Sequence, residues 1–396
     1  MSDEAPGSHS DETGYSLILT RQPDYNHDLL RQHVSPDIPP FPDENTIILP
    51  DGRIIIRTRA EKYLLEARLS ASLGAEFREN YVVELDRRLY RIPPDKDTSL
   101  VTSPSETMTW GLDAIGISNS TRSTGEGAIV AVLDTGLAFD HPDFCGRIPP
   151  TNIGLFYDKS AYDSTGHGTH CAGTIAGRTH SKDVPRYGVA PDATLLIGNI
   201  FDGGQCSDWN LLKGMVWANY LGAHVISMSV GDRPRPKYSV IFQIVAEVLC
   251  AFDTIIVAAA GNESDRQYGY VGPIVHPADC PAIVAVAAVT RQDEKFRPSR
   301  ASSGGVSCQR MPTLAAPGVG VFSSFLTSFN STDGKGYRRL SGTSQAAPHV
   351  AGVAALLYSQ YGYKGQKLIE QLTADVDPIP EYTARDVGCG LVRVPK

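Results

Sequence analysis

The feature that most constrains this chain's architecture is a set of short, uninterrupted apolar runs. Residues 128–133 read Ala-Ile-Val-Ala-Val-Leu, with no polar side chain to turn toward water. A strand of that composition must be covered on both faces, as parallel sheets flanked by helices are and one-sided antiparallel sheets are not. Thr254 to Ala260, containing Ile255-Ile256-Val257, and Ala282 to Ala288 repeat the pattern, and Val225 to Val230 is a further run. Between them, Leu211 to Leu221 and Val240 to Ala251 read as helices. The alternation predicts an α/β fold, a parallel sheet with helices on both faces, over residues 110–396.

The first hundred residues read differently. Residues 1–44 are rich in Asp, Glu, Ser, Pro and His, a composition expected of a loosely docked tail. Residues 45–92 carry a strand signal at Ile54-Ile55-Ile56 after the turn Pro50-Asp51-Gly52. A helical spacing of leucines follows from Glu61 to Leu73, and Asn80 to Ile92 reads as two more strands. So small an α+β unit buries little core and is expected to lean on its neighbour. Residues 93–109, with Pro93-Pro94 and Ser103-Pro104-Ser105, read as a linker.

Composition excludes more than it assigns. A formal net charge of -8 argues against a nucleic-acid partner. No apolar run approaches the roughly 18 residues of a membrane span, and the amino terminus lacks the basic and apolar regions of a secretory signal. A cytoplasmic protein with no membrane contact is the expectation, with export by an unusual route as the other option. Seven scattered cysteines show no metal-type pairing, leave at least one thiol unpaired, and suit a reducing compartment.

Four segments carry chemistry. Asp134, in Val132-Leu133-Asp134-Thr135-Gly136, directly follows a buried run, where α/β sheets gather functional groups. His167 stands between two glycines in Gly166-His167-Gly168-Thr169-His170, which lets other backbones approach the imidazole. Ser344, in Ser341-Gly342-Thr343-Ser344, opens a small-residue helix whose free amides favour a developing negative charge. Asn262 lies just past a strand, behind Gly261. Taken singly, these are a turn Asp, a structural His, an N-cap Ser and a turn Asn. A metal pair of His167 and His170 is disfavoured because no further ligands accompany it, and metal ligands stay unassigned.

Taken together, the order Asp, His, Ser narrows the choice. From about Trp110 to Val394 the chain resembles the subtilisin family of serine peptidases, on Gly-His-Gly-Thr-His and Ser-Gly-Thr-Ser-x-Ala-x-Pro-His-Val-Ala-Gly. The resemblance implies a serine endopeptidase with Asp134, His167 and Ser344 as its triad and Asn262 as oxyanion donor. It implies peptide binding along Ser229-Val230-Gly231 and the opposite edge at Gly204, with Ala259, Ala260 and Gly261 walling the pocket for the residue before the cut. Val275 and Ala278 fall where that pocket's base is expected, which predicts a shallow apolar pocket. Cys171 follows the His motif as in the thiol-containing, proteinase K-like branch, and is expected beneath His167. No cofactor is required for this chemistry. Asp143 matches a calcium ligand of some members, but residues 178–186 lack the usual calcium-loop pattern, so a structural calcium ion is left open. Residues 45–92 sit where the family carries a propeptide, and so are expected to act as an intramolecular inhibitor cut off in the linker. Two other readings compete. One is an inactive scaffold presenting its groove to a partner. The other is a lipase-type hydrolase, which would need Gly-x-Ser-x-Gly with its partners after the serine.

Overall fold

In the computed structural model the apolar runs form the middle of a ten-stranded sheet. The structure describes residues 12–20, 44–59, 81–95, 107–118, 123–157, 160–178, 183–201, 204–292, 295–305, 310–327 and 336–395. With strands numbered in chain order, the centre is β5 (Ile129–Asp134), β9 (Val225–Met228), β11 (Ile255–Ala259) and β12 (Val284–Gln292). On one side follow β7 (Thr194–Asn199) and β6 (Ile153–Leu155). On the other are β14 (Leu314–Pro317), β18 (Leu391–Val392) and β17 (Val376–Asp377). From β6 to β18 all neighbours pair in parallel; β17 and β13 (Lys295–Pro298) add antiparallel edges.

Alternate residues of each central strand serve opposite layers, as a period of two requires. Val130 and Val132 pack with α2 (His167–Ala176), α5 (Thr343–Tyr361) and α6 (Gly365–Ala374). Ala131 and Leu133 pack with α3 (Asp208–Tyr220) and α4 (Val240–Ala251). Short α1 (Trp110–Ala114) leads into the sheet, and the hairpin β15 (Val321–Ser324) and β16 (Tyr337–Leu340) lies beside α2. Among the described residues, no helix is long and apolar enough to cross a membrane.

The amino-terminal strands form a second, antiparallel sheet in the order β2 (Thr46–Ile48), β3 (Ile54–Thr58), β1 (Glu12–Thr20), β4 (Tyr81–Arg91). Here the structure corrects the sequence reading. Residues 12–20, placed there in a tail, are a central strand, because Leu17 and Leu19 alternate toward the body and both neighbours supply hydrogen bonds. Residues 81–91 are one long strand rather than two, and Val225 to Val230 breaks at Ser229 into β9 and β10 (Val230–Gly231). The helix expected over Glu61 to Leu73 and most of the linker lie outside the described residues.

This sheet shares its core with the larger body. Leu17, Leu19, Ile47, Ile55, Val82 and Leu89 belong to one apolar cluster with α3 and α4. Two carboxylates on β4, at i and i+2 and therefore on one face, cap those helices. The Trp209 amide donates to Asp86 Oδ1 at 3.0 Å, and the Val240 amide donates to Glu84 Oε1 at 2.7 Å, with Ser239 Oγ donating to the other Glu84 oxygen. Arg57 pairs with Asp86 at 2.8 Å. Each helix thereby gains a negative charge at its positive end.

Candidate active site

The four predicted residues meet past the carboxyl ends of β5 and β11. Asp134, the last residue of β5, is 1% exposed; its Oδ1 accepts from the Thr135 amide and bonds His167 Nδ1, each at 2.8 Å. His167 opens α2, and its flanking glycines are sterically required. A Cβ at Gly168 would lie 2.3 Å from the Gly136 carbonyl oxygen, and Gly166 has φ +82 beside the Phe325 ring. Burial opposes protonation of His167, yet the charge and hydrogen bond of Asp134 outweigh it, and the pKa is raised; Arg91 works in the opposite direction.

One residue of the site went unrecognised in the sequence. Asp163 is fully buried and accepts from the amides of Thr165, Gly166 and Thr169 and the hydroxyls of Thr135, Thr165 and Thr169, at 2.8–3.1 Å. It ties the strand that ends in Asp134 to the helix that begins with His167. An Asp four residues ahead of a helix in Asp-Ser-Thr-Gly-His was the available signal.

Ser344 sits in the first turn of α5 and lines, with His167, a cavity of about 280 Å³. Its Oγ is buried and makes no hydrogen bond among the described residues. Its carbonyl has an unusual set of donors. Pro348, four residues on, has no N–H to offer it, and Ser229 Oγ (2.9 Å) and Cys171 Sγ (3.4 Å) donate instead. Ser229 thus supports the turn that carries Ser344. Asn262 is oriented from behind, since its Oδ1 accepts from the Thr343 amide and hydroxyl at 3.0 and 3.1 Å, which leaves Nδ2 facing the site.

Cys171 lies under this group, its ligand atom within 4.8 Å of those of Asp134 and His167. Burial, then the Asp134 charge, push its thiol well up and keep it neutral. His170 is turned away, with Nε2 donating to the Val321 and Arg338 carbonyls, and burial lowers its pKa to about 3. Asp143 accepts from the hydroxyls of Tyr187 and Tyr337. Both hydroxyls donate to Oδ2 of this fully buried carboxylate.

The expected peptide-binding edges are occupied by the chain itself. β4 pairs antiparallel with β10, Arg91 opposite Val230 and Tyr90 opposite Gly231. On its other side it pairs with β8 (Gln205–Ser207), just past Gly204, whose φ is +86. The chain then crosses the site: Asn262 Nδ2 donates to the Pro93 carbonyl at 2.6 Å, and the Asp95 amide donates to the Ser341 carbonyl at 3.0 Å. Ala259, Ala260 and Gly261 are buried at the end of β11. Val275 packs in the same cluster as Ala259 and Ile92, whereas Ala278 packs with Val230 and Ala260 in the other layer.

An acid, a base and a hydroxyl are thus gathered past the strand ends of a parallel α/β sheet. The chain belongs to the subtilase family, whose pattern matches residues 125–376. It is 36% identical over 260 residues to a thermostable alkaline protease of Halalkalibacterium halodurans, covering 65% of this chain and 64% of that one. It is 34% identical over 237 residues to thermitase of Thermoactinomyces vulgaris, covering 60% and 76%. The chain thus spans a little under two thirds of the alkaline protease. The crystal structure of fervidolysin from Fervidobacterium pennivorans, a keratinolytic enzyme related to subtilisin, shares the fold with TM-score 0.72 at 24% identity, over 98% of this chain and 61% of that one.

Proposed function

We propose that this subtilase is a serine endopeptidase held inactive by its own residues 81–95 until they are cut away. His167 would take the Ser344 proton as Oγ attacks the scissile carbonyl, then return it to the leaving amine. Asp134 fixes the tautomer, with Nδ1–H directed at its carboxylate, and stabilises the imidazolium. Asn262 Nδ2 and the Ser344 backbone N–H would receive the oxyanion, the kind of donor whose loss in subtilisin costs about 10²–10³ in turnover. The residues present need no metal or organic cofactor for these steps.

The observation that carries the inhibitory part is the path of residues 88–95. They run as a bound peptide would, between two strand edges, by β-augmentation. The segment is also poorly placed for cleavage. The buried side chain is Ile92, but Asn262 holds the carbonyl of the next residue, Pro93. The groove therefore contains Ile92-Pro93-Pro94, whose proline nitrogens lack the N–H of an ordinary leaving amide.

Incubating the purified wild-type and Ser344→Ala chains tests the proposal. Wild type is expected to shorten from its amino terminus and gain activity on a peptide substrate, while Ser344→Ala stays intact and silent. Equal shortening of both would sink self-processing; an inert wild type after shortening would favour the scaffold reading.

A further inference from the structure

Apart from Asp134, His167 and Cys171, a second imidazole, carboxylate and thiol converge among the described residues. His276, Asp279 and Cys280 sit on the loop before β12, all buried, with their ligand atoms within 4.8 Å of one another. His276 Nδ1 is 3.2 Å from Asp279 Oδ1, and that oxygen is 3.8 Å from Cys280 Sγ. Those spacings are close to the edges of a tetrahedron around zinc, about 3.3–3.6 Å for bonds of about 2.0–2.3 Å. The Ser239 carbonyl, 3.7 Å from the same sulfur, offers a fourth oxygen.

The imidazole is caught between two carboxylates. Its Nε2 faces Asp208 Oδ1 at 3.4 Å, and both atoms are buried without a hydrogen bond among the described residues. Asp208 is in turn held by the Arg87 amide and by Arg235, which also pairs with Asp232, whereas Asp279 meets the imidazole and the thiol. A neutral ring carries one proton and serves one carboxylate, so its other nitrogen turns a lone pair toward an anion. A second ring proton relieves that conflict, and so does a metal ion at Nδ1. Cys280 separates the two. A thiol beside Asp279 adds nothing for a proton, but it completes a nitrogen, oxygen and sulfur set suited to zinc. With the metal at Nδ1, the Nε2 proton is directed at Asp208, an arrangement that fixes the ring and its tautomer in such centres.

We propose that His276 Nδ1, Asp279 Oδ1 and Cys280 Sγ bind one zinc ion, with Asp208 orienting the imidazole from behind. The thiol gives up its proton on binding. The ion ties the loop before β12 to the start of α3, at Asp208, and of α4, at Ser239. It uses none of the reacting groups, so its test is separate from that of the peptidase reading.

The full-length Ser344→Ala chain, dialysed against a chelator, is titrated with Co²⁺ and then with Zn²⁺. One Co²⁺ per chain is expected, with a near-ultraviolet thiolate-to-metal charge-transfer band that one equivalent of Zn²⁺ abolishes. Cys280→Ser should remove the band and weaken Zn²⁺ binding at least a hundredfold. Asp208→Asn should keep the band and weaken binding about 10- to 100-fold, and Cys171→Ala should change neither. Absence of a thiolate band, or a Zn²⁺ affinity unmoved by Cys280→Ser, would overturn the proposal and leave His276 a doubly protonated ring. A band lost in Cys171→Ala but kept in Cys280→Ser would overturn it in favour of the cluster at His167. Zinc K-edge absorption of the loaded chain needs no substitution among these residues, and so holds even where Cys280→Ser fails to fold. One sulfur and at least one imidazole bound to the ion is the expected result, and oxygen and nitrogen alone would contradict the proposal.

Discussion

At the scale of single residues, the site depends on a few buried polar atoms with many partners. Asp163 receives six hydrogen bonds from both segments that carry the acid and the base. Asp163→Asn presents an amide NH2 to donors that need an acceptor, and a buried donor left unpaired costs about 1–3 kcal/mol. Chemical denaturation should show a loss of that size, and kcat should fall with little change in KM. The raised pKa of His167 has a definite sign in activity. The base must be neutral, so activity is lost as pH falls through a pKa above the ordinary value of about 6.5. The acid limb of kcat/KM should lie above that value. In Asp134→Asn, which removes the strongest influence raising it, the limb should move to lower pH as kcat drops; a limb that stays in place would contradict the assignment. Asp134, His167, Ser344 and Asn262 were legible as candidates because each lies in a short motif at the end of a strand or start of a helix. Asp163 was not, since its importance comes from partners up to 28 residues away.

At the scale of elements, the apolar runs at residues 128–133, 254–260 and 282–288 became buried strands because their composition admits no solvent-facing side. The amino-terminal strand β1 escaped notice because short polar-rich segments acquire strand character only from neighbours, here β3 and β4. The capping of α3 and α4 by Asp86 and Glu84 was equally hidden, being a pairing across 123 and 156 residues. These caps make a prediction about the seam. Replacing a capping carboxylate by Ala costs about 0.5–2 kcal/mol, so Glu84→Ala with Asp86→Ala should loosen the amino-terminal sheet. The lag before peptide hydrolysis by freshly purified protein should shorten by tenfold or more. An unchanged lag would mean that the apolar contacts of Leu17, Leu19 and Leu89 alone hold the sheet.

At the scale of the whole molecule, among the described residues, the apolar side chains of the amino-terminal sheet share one core cluster with α3 and α4. Sequence patterns identified two parts of the chain but could not show that residues 88–95 cross the site, because that path depends on edges at 205–207 and 230–231 far along the chain. The central claim, that Ser344 is activated by His167, is tested most directly by intact-mass measurement after treatment of the incubated protein with a fluorophosphonate. One adduct per chain on Ser344 in the wild type, and labelling slowed at least a hundredfold in His167→Ala, is the predicted result. Equal labelling rates in the two, or no adduct on a wild-type chain that has already lost residues 81–95, would contradict it.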